Sequence, residues 1–337
     1  MPMNALIQKK SAPRPLSIPA EWAPQKTMWT AWPSHADLWL DNLDPARQEL
    51  ATMIQALSSG NTMKVLAMGD EAVKSAQDML GPAAKVIPAQ FGDIWLRDTG
   101  PIFASTPDGP VALRFKTNGW GGKYELPFDD QVGDVIAEGA GVSIRRYDFI
   151  LEGGALEHDG AGTILTTRQC LLNPNRNPGW TQATAEAELK DAFGASRILW
   201  LNEGLLNDHT DGHIDNLARF IAPGRVLCQS PYGRDDPNKE ILQKIAADLK
   251  SMDLEVIQVP SPGLITNEYG DPVPASHMNF IIGNKTIALP AYDTAPAEEA
   301  AAILEPLFPG REVVVLPSNA LLTGGGSFHC MTQQEPA

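Results

Sequence analysis

A polar residue directly ahead of a strand–turn–strand pattern recurs along this sequence about every 60 residues. The turns are Pro-Asp-Gly at 107–109, Asp-Gly at 159–160, Pro-Gly at 223–224 and Gly-Asn at 283–284. A repeat of this length predicts similar units that pack against their neighbours, each with a few strands and a helix. We mark each repeat by one residue near its start: Trp32, Asp98, Glu152, His213, His277 and Cys330. The five intervals between these marks are 53 to 66 residues long.

Five such units in a ring form one closed α/β domain with a central site, so we predict a single domain over residues 1–337. Residues 1 to about 18 are expected to be a flexible extension. The segment DPARQELATMIQALSSG predicts a helix with Asp44 as N-cap, Pro45 at its first position and a stripe from Leu50 to Leu57. PNKEILQKIAADLKSM and APAEEAAAILEPLF predict two more helices, and KVLAMG, TILTT and EVVVLP predict strands.

Charge and cysteine content narrow the functional classes. The chain has 26 basic and 41 acidic side chains, and its formal net charge is -15. Such a protein repels nucleic acid and anionic membranes and favours small cations. Three scattered cysteines fit neither a disulfide framework nor a zinc cluster. With no secretory signal and no run of membrane-spanning length, these features predict a cytoplasmic protein.

In a ring of units, the polar residues ahead of the hairpins meet in the middle. A thiolate nucleophile at Cys330 needs a proton shuttle, which His213 can provide, and Glu152 can orient that imidazole. Asp98 and Asp215 then remain. Two more carboxylates beside a thiolate form an electrostatically unfavourable cluster of negative charge unless the substrate is a cation. A planar guanidinium supplies the positive charge, and its donors on two edges can pair with both carboxylates.

Simpler interpretations compete with this site. A lone cysteine is usually a small buried hydrophobe, which is how we interpret Cys170 and Cys228. Cys330 differs because Gly324–Gly326 indicate a close backbone approach or positive φ. RDTGP is a common turn sequence, and tryptophans are core residues by default. His209 and His213 have zinc-site spacing, but Gly212 and the β-type residues that follow argue against the required helix, so no metal is expected.

Several motifs, taken together and in order from about Pro19, resemble one family. They are PAEW, TAWP, WLRDTGP, NGWGGKY, LEGGALEHDGAGTILTT, CLLNPNRNP, TDGHIDNLARF and GGGSFHCMTQQ. The set is similar to the agmatine deiminases, in the bacterial-type peptidylarginine deiminase group of guanidine-modifying enzymes. The resemblance implies a pentein fold, which is a five-bladed α/β propeller with pseudo-fivefold repeats in one domain.

The resemblance also implies roles for individual residues. Cys330 would be the nucleophile and His213 the general acid and base, partnered by Glu152. Asp98 and Asp215 would hold the two sides of the guanidinium. The implied reaction is hydrolysis of agmatine to N-carbamoylputrescine and ammonia through a covalent thiouronium, without metal or organic cofactor. Substrate-binding positions would be Trp95, Trp120, His209 and Gly325.

His209 departs from the family pattern, in which this position is often acidic and near the substrate's far amine. An imidazole is a poorer partner for an ammonium, so arginine, peptidyl-arginine or a guanidino acid stays open as the substrate. The sequence is also compatible with an amidinotransferase and with a non-catalytic guanidine-binding protein. The expected partner is a small cationic guanidino compound, with a homo-oligomer left open.

Overall fold

The computed structural model describes residues 16–292 and 295–337. Along these residues the strands are β1 (Gln25–Ala31), β2 (Thr62–Ala67), β3 (Ala84–Pro88), β4 (Ile102–Thr106), β5 (Gly109–Lys116), β6 (Ser143–Ile150), β7 (Glu157–His158), β8 (Thr163–Thr167), β9 (Arg197–Leu201), β10 (Ala218–Ala222), β11 (Arg225–Ser230), β12 (Glu255–Pro260), β13 (Ile281–Ile282), β14 (Thr286–Ala291), β15 (Glu312–Pro317) and β16 (Thr332–Pro336).

The α-helices are α1 (Ala36–Trp39), α2 (Leu43–Leu57), α3 (Asp70–Leu80), α4 (Leu96–Thr99), α5 (Gly119–Gly122), α6 (Val132–Ala140), α7 (Arg168–Leu171), α8 (Gln182–Phe193), α9 (Lys239–Ser251), α10 (Pro296–Leu304) and α11 (Asn319–Thr323). Short 3-10 turns cover Leu40–Asn42, Gly81–Ala83, Gly153–Ala155, Ile214–Asn216, His277–Asn279 and Glu305–Leu307.

Four sheets share one connectivity, in which a hairpin is followed by a third, parallel strand. Their orders are β4-β5-β6, β7-β8-β9, β10-β11-β12 and β13-β14-β15. In each, the first two strands are antiparallel and the last two are parallel. Parallel strands need a crossover connection, and α6, α8, α9 and α10 lie in these crossovers. This repetition agrees with the recurring pattern in the sequence.

The fifth sheet joins segments that are some 300 residues apart. Its order is β16-β1-β2-β3, with β16 antiparallel to β1 and β1 parallel to β2. The hairpin position of this unit is therefore filled by β16 and β1, without a connecting turn. Trp32, used as the first mark of the repeat, is wrong in that role: it follows β1 and is fully buried. The residue that precedes this unit's first strand is Cys330.

The predicted helices exist, with one boundary shifted. Helix α2 begins at Leu43 rather than after Asp44, because the 3-10 turn Leu40–Asn42 leads directly into it. Its predicted stripe, Leu50, Met53, Ile54 and Leu57, is fully buried. Helices α9 and α10 cover the other two predicted segments. The amphipathic stripe predicts the buried face of a helix well. Capping residues predict the first residue of a helix less precisely.

The start of the described chain is anchored. Ser17 pairs with Ser105 through two backbone hydrogen bonds of 3.1 and 2.8 Å, and Ile18 is buried. These two residues lie at the end of the predicted flexible extension, and residues 1–15 of that extension are outside the described residues. Among the helices of the described chain, none has the length and apolar character needed to cross a membrane.

Candidate active site

The glycine run before Cys330 lets the chain pass directly against two indoles. A Cβ on Gly324 would lie 2.6 Å from the Trp39 ring, and a Cβ on Gly326 would lie 2.7 Å from the Trp95 ring. Gly325 between them has φ of +102°, a region that side chains disfavour. Both explanations proposed for the run, close approach and positive φ, are therefore present. The run is followed, after three residues, by Cys330, which is buried.

Cys330 is buried and held by an asparagine. The Asn279 side chain donates from Nδ2 to Cys330 Sγ at 3.0 Å and accepts the Cys330 backbone N–H at 3.2 Å. Asp215 Oδ2 lies 3.5 Å from the sulfur. Burial raises the pKa of the Cys330 thiol well above its ordinary value, and the nearby Asp215 and Asp98 carboxylates raise it further. The sulfur is therefore a thiol at neutral pH.

His213 lies between two carboxylates. Its Nδ1 is 3.7 Å from Asp98 Oδ2, and its Nε2 is 3.7 Å from Glu152 Oε2. The ring is fully buried, and neither nitrogen has a hydrogen-bond partner among the described residues. Burial alone would lower the pKa of His213, but the charge of Asp98 and the contacts with Cys170 and Glu152 outweigh it and raise the pKa well above its ordinary value. The ring is therefore an imidazolium with a proton to give.

Asp98 is fixed from two directions. Its Oδ1 accepts the Gly154 backbone N–H at 2.8 Å, and its Oδ2 accepts the Trp120 indole N–H at 2.8 Å. Burial is the largest influence and raises the pKa of Asp98, with Asp215 and Glu152 acting in the same direction and His213 opposing them. Gly154 has no room for a side chain, because a Cβ there would lie 2.6 Å from His213 Nδ1.

The backbone of Trp120 adopts a strained conformation, which allows the indole to donate to Asp98. Its φ and ψ are 53° and 48°, a left-handed conformation that is unfavourable for a large aromatic residue. The flanking Gly119 and Gly121 also have positive φ, as the NGWGG sequence permits. Such strain persists where the surroundings over-determine it, often at functional sites. Here it directs the indole N–H at Asp98.

Asp215 keeps one oxygen unoccupied. Oδ2 lies 2.8 Å from His329 Nδ1, whereas Oδ1 is buried and has no hydrogen-bond partner among the described residues. An unpartnered buried carboxylate oxygen is costly, so its presence indicates a ligand donor that arrives from outside. The structure thus brings together all five predicted catalytic residues, Asp98, Glu152, His213, Asp215 and Cys330.

Glu152 is held by Arg176, a residue that sequence reasoning missed. Arg176 Nε donates to Glu152 Oε1 at 2.7 Å, and Nη1 pairs with Asp211 Oδ2 at 2.6 Å. Lys123 pairs with the same Asp211 at 2.6 Å. Burial raises the pKa of Glu152, but His213 and Arg176 outweigh it and the pKa lies below its ordinary value. Glu152 is therefore ionised and can support a protonated His213.

Replacement of Arg176 by Gln should destabilise the fold and slow turnover. The change leaves the buried Glu152 without its cation, which typically costs about 3–5 kcal/mol of unfolding free energy. Urea unfolding measures the loss. Arg47→Gln is the matched control, because Arg47 is equally buried but its partner Glu71 is 74% exposed, and we expect a loss of about 1 kcal/mol. Equal losses in the two variants would contradict a special role for Arg176.

Cys170 is buried, as predicted, but it is not an isolated hydrophobe. Its Sγ lies 3.8 Å from Glu152 Oε2, and Glu152, Cys170 and His213 together have donor atoms within 4.8 Å of one another. A thiolate, an imidazole and a carboxylate are zinc-type ligands. However, Glu152 already forms an ion pair with the Arg176 guanidinium, and a divalent metal ion would have to bind beside that positive charge. The other histidine pair is not a zinc motif either, since residues 209–213 form no helix.

A cavity of about 230 Å³ leads to Cys330 and Asp98. Trp39, Trp95 and Trp120 form its walls, and Asp93 fixes two of them by accepting the indole N–H of Trp95 at 2.8 Å and of Trp39 at 3.3 Å. Gly325 also lines this cavity. The indoles give the cavity apolar walls, which suit a short chain of methylene groups, and Asp93 and Asp98 add negative charge to its lining.

His209 is at the mouth of the cavity and belongs to a bridge between two loops. Its Nδ1 is 2.8 Å from the Tyr124 hydroxyl, the two rings stack with centroids 5.9 Å apart, and Lys123 donates to its backbone carbonyl at 2.8 Å. The structure therefore places all four predicted substrate-binding residues, Trp95, Trp120, His209 and Gly325, on the cavity wall. Tyr124 and Trp39 were not predicted, because the sequence around a single aromatic residue does not indicate which distant segment that residue faces.

The site combines a buried cysteine, an imidazolium and three carboxylates next to an aromatic cavity. These are the functional groups that a guanidine-modifying hydrolase requires. Residues 17–336 match the family model described as Porphyromonas-type peptidyl-arginine deiminase. The chain belongs to this family.

Individual relatives share both sequence and fold. The chain is 36% identical to an agmatine deiminase of Stutzerimonas stutzeri, over 95% of each chain. The agmatine deiminase of Enterococcus faecalis superposes with a TM-score of 0.89 at 30% identity, over 95% of this chain and 96% of that one. A cysteine-to-serine variant of C. jejuni agmatine deiminase with bound substrate superposes with a TM-score of 0.91 at 26% identity, over 99% of each chain. These neighbours have the pentein-type α/β fold.

Proposed function

We propose that this protein hydrolyses agmatine to N-carbamoylputrescine and ammonia. The observation that carries the proposal is an aromatic cavity that reaches Cys330 and Asp98, together with Asp215, whose Oδ2 lies 3.5 Å from the Cys330 sulfur and whose buried Oδ1 has no partner among the described residues. A guanidinium donates from two edges, so it can satisfy both carboxylates and offer its carbon to the sulfur. The similarity to agmatine deiminases along the whole chain supports this reaction.

The charges suggest the order of events. The entering guanidinium offsets Asp98 and Asp215, which lowers the pKa of Cys330; the thiol proton is lost to solvent water, and the thiolate attacks the guanidinium carbon. His213 gives its proton to the departing nitrogen, ammonia leaves, and a covalent thiouronium remains. His213 then accepts a proton from a water that adds to the same carbon. Cleavage of the C–S bond releases the ureido product and regenerates Cys330.

The channel also bears on which guanidino compound is used. No Lys or Arg is among the described residues that line it, whereas Asp93 and Asp98 are. Lys123, which donates to the His209 backbone carbonyl, is already paired with Asp211. A carboxylate tail would therefore enter an acidic channel without a partner, which disfavours arginine and guanidino acids. The Tyr124–His209 bridge narrows the mouth and disfavours a peptide.

A screen for ureido product tests the proposal. Agmatine, arginine, a guanidino acid and a peptidyl-arginine are supplied separately to the purified protein, with no added amine acceptor. We expect agmatine to give the highest kcat/KM. Product only when an amine is added would favour amidinotransfer, and tight binding of agmatine without any product would favour a binding protein.

The arrangement of the five sheets forms a second part of the proposal. Each sheet is preceded by one polar residue, and four of these, Asp98, Glu152, His213 and Cys330, belong to the site. Their meeting is most simply explained if the sheets stand around one axis, as a five-bladed α/β propeller with pseudo-fivefold symmetry. Low-angle scattering compared with ring-shaped and open arrangements of the sheets tests it.

His209→Asp should lower KM for agmatine about three- to tenfold. The substrate's terminal ammonium would meet a carboxylate at the mouth in place of an imidazole, and a charge-assisted hydrogen bond is the stronger interaction. His209→Asn, which is neutral and of similar size to Asp, is the control and should not lower KM. If KM for agmatine is the same in both variants and in the native protein, His209 has no part in recognising the tail.

A further inference from the structure

His329, the residue before the nucleophile, has a carboxylate on each side. Its Nδ1 is 2.8 Å from Asp215 Oδ2, and its Nε2 is 3.2 Å from Glu21 Oε2. The side chain is 2% exposed. A neutral imidazole has one donor and one acceptor nitrogen, and an ionised carboxylate can only accept. Both nitrogens must therefore donate, so the geometry requires an imidazolium.

Glu21, on the far side of this ring, is rigidly held. Its Oε1 accepts the Ile282 backbone N–H at 2.7 Å, and its Oε2 forms an ion pair with Arg219. Arg219 is fully buried and is also bound by Glu157, with Nε 3.0 Å from Oε2. Burial would raise the pKa of Glu21, but Arg219 and His329 outweigh it and the pKa is far below its ordinary range. Glu21 is thus a permanent anion behind His329.

Asp215, on the near side, depends on this support. It is fully buried and interacts with Asp98, a second carboxylate. Burial raises the pKa of Asp215, yet the hydrogen bond and charge of His329, joined by the charges of His213 and Arg219, outweigh it and the pKa lies below its ordinary value. The titratable and charged groups facing Asp215 and His329 from the surrounding elements are Glu21, Arg97, Asp98, Glu157, His213, Arg219 and Cys330.

We propose that His329 is a positioning residue for Asp215: as an imidazolium backed by Glu21, it keeps the Asp215 carboxylate ionised and leaves Oδ1 free for the guanidinium. The inference rests on the proposed function, since it assumes that Asp215 receives the guanidinium. His329, which supports Asp215, and Cys330, the nucleophile, are consecutive residues, so one backbone segment positions both. His329 itself does not touch the substrate.

Substrate binding without turnover tests the proposal. Agmatine binding to Cys330→Ala is measured by calorimetry near pH 7 in two buffers of different ionisation enthalpy, which gives the affinity and the protons released. The measurement is repeated with His329→Asn added. The Asn side chain retains a donor close to the Nδ1 position but carries no charge. We expect affinity to fall about 10- to 100-fold, and additional protons to be released because Asp215 now begins protonated.

His277→Asn in the same background is the matched control. His277 is equally buried, but its Nδ1 contacts the Pro260 carbonyl rather than a carboxylate. It should match the parent in protons released. Glu21→Gln gives a second route if His329→Asn does not fold, and it should weaken binding and increase proton release in the same direction.

The outcomes separate the two proposals. If His329→Asn and Glu21→Gln both bind agmatine with the parent's affinity and proton release, His329 only fills space and the inference is wrong. If the Cys330→Ala parent binds no agmatine but does bind another guanidino compound, the proposed substrate is wrong, and the same comparison with that compound decides the role of His329. If it binds no guanidino compound, both proposals fail.

Discussion

Cys330→Ala should abolish turnover while the protein stays folded. Removal of the nucleophile of a covalent mechanism lowers kcat by about 10⁴-fold or more. Cys330 makes its side-chain contacts with Asn279 and Asp215, and loss of one sulfur there removes little apolar packing. Turnover of agmatine and thermal unfolding are the two measurements.

Cys228→Ala is the control for this variant. Cys228 is buried in β11, where burial raises its pKa to about 12, so it is an inert thiol. Cys170→Ala should lie between the two, because its sulfur touches Glu152. Mass spectrometry of the native protein quenched during turnover should show the covalent adduct on the peptide that contains Cys330. An adduct on Cys170 or Cys228 would refute the assignment.

Asp98→Asn and Asp215→Asn should each lower kcat/KM by about 30- to several-thousand-fold. Loss of one partner of a buried, hydrogen-bonded charge pair costs roughly 2–5 kcal/mol. Asp159→Asn is the control: Asp159 is as buried as Asp98, but it only accepts backbone N–H groups of Ala161 and Thr163. A loss below tenfold at Asp98 or Asp215 would mean that this residue does not hold the guanidinium.

The same two variants should change the reactivity of Cys330 in the opposite direction. Both carboxylates raise the pKa of the thiol, so removing either one lowers it and increases the thiolate fraction at neutral pH. Alkylation of Cys330 by iodoacetamide in the absence of substrate should therefore be faster in Asp98→Asn and Asp215→Asn than in the native protein. Slower turnover together with faster alkylation distinguishes an electrostatic role from general damage to the site.

The sequence was sufficient for the repeat and for the polar residue ahead of each of the four hairpins that have a turn. A strand–turn–strand pattern is local, so it can be recognised within about 20 residues, and the polar residue ahead of it is then conspicuous. The glycine run before Cys330 was also interpretable, since three successive glycines indicate crowding or positive φ. These local signals led to Asp98, Glu152, His213 and Cys330.

The supporting residues had no comparable signal. Arg176 lies within a stretch of asparagines and prolines that is typical of a turn, yet its guanidinium reaches Glu152, 24 residues earlier. Glu21 contacts His329 across 308 positions, and Asn279 contacts Cys330 across 51. Partners this far apart in sequence follow from the sheet arrangement rather than from any spacing. The first mark, Trp32, failed for a related reason, because the fifth hairpin has no turn to reveal it.

The pairing of β16 with β1 has a consequence for how the protein is made. On the ribosome, β1 emerges some 300 residues before β16, which at about 5–20 residues per second means a wait of roughly 15 to 60 s. Through that interval one edge of β1 has no neighbour, and an open strand edge is a site for unwanted association. The sheets that follow can form in the meantime, since each is contiguous in sequence. Cys330 lies two residues before β16, so it reaches its buried position beside Asp215 and Asn279 only when that edge is covered.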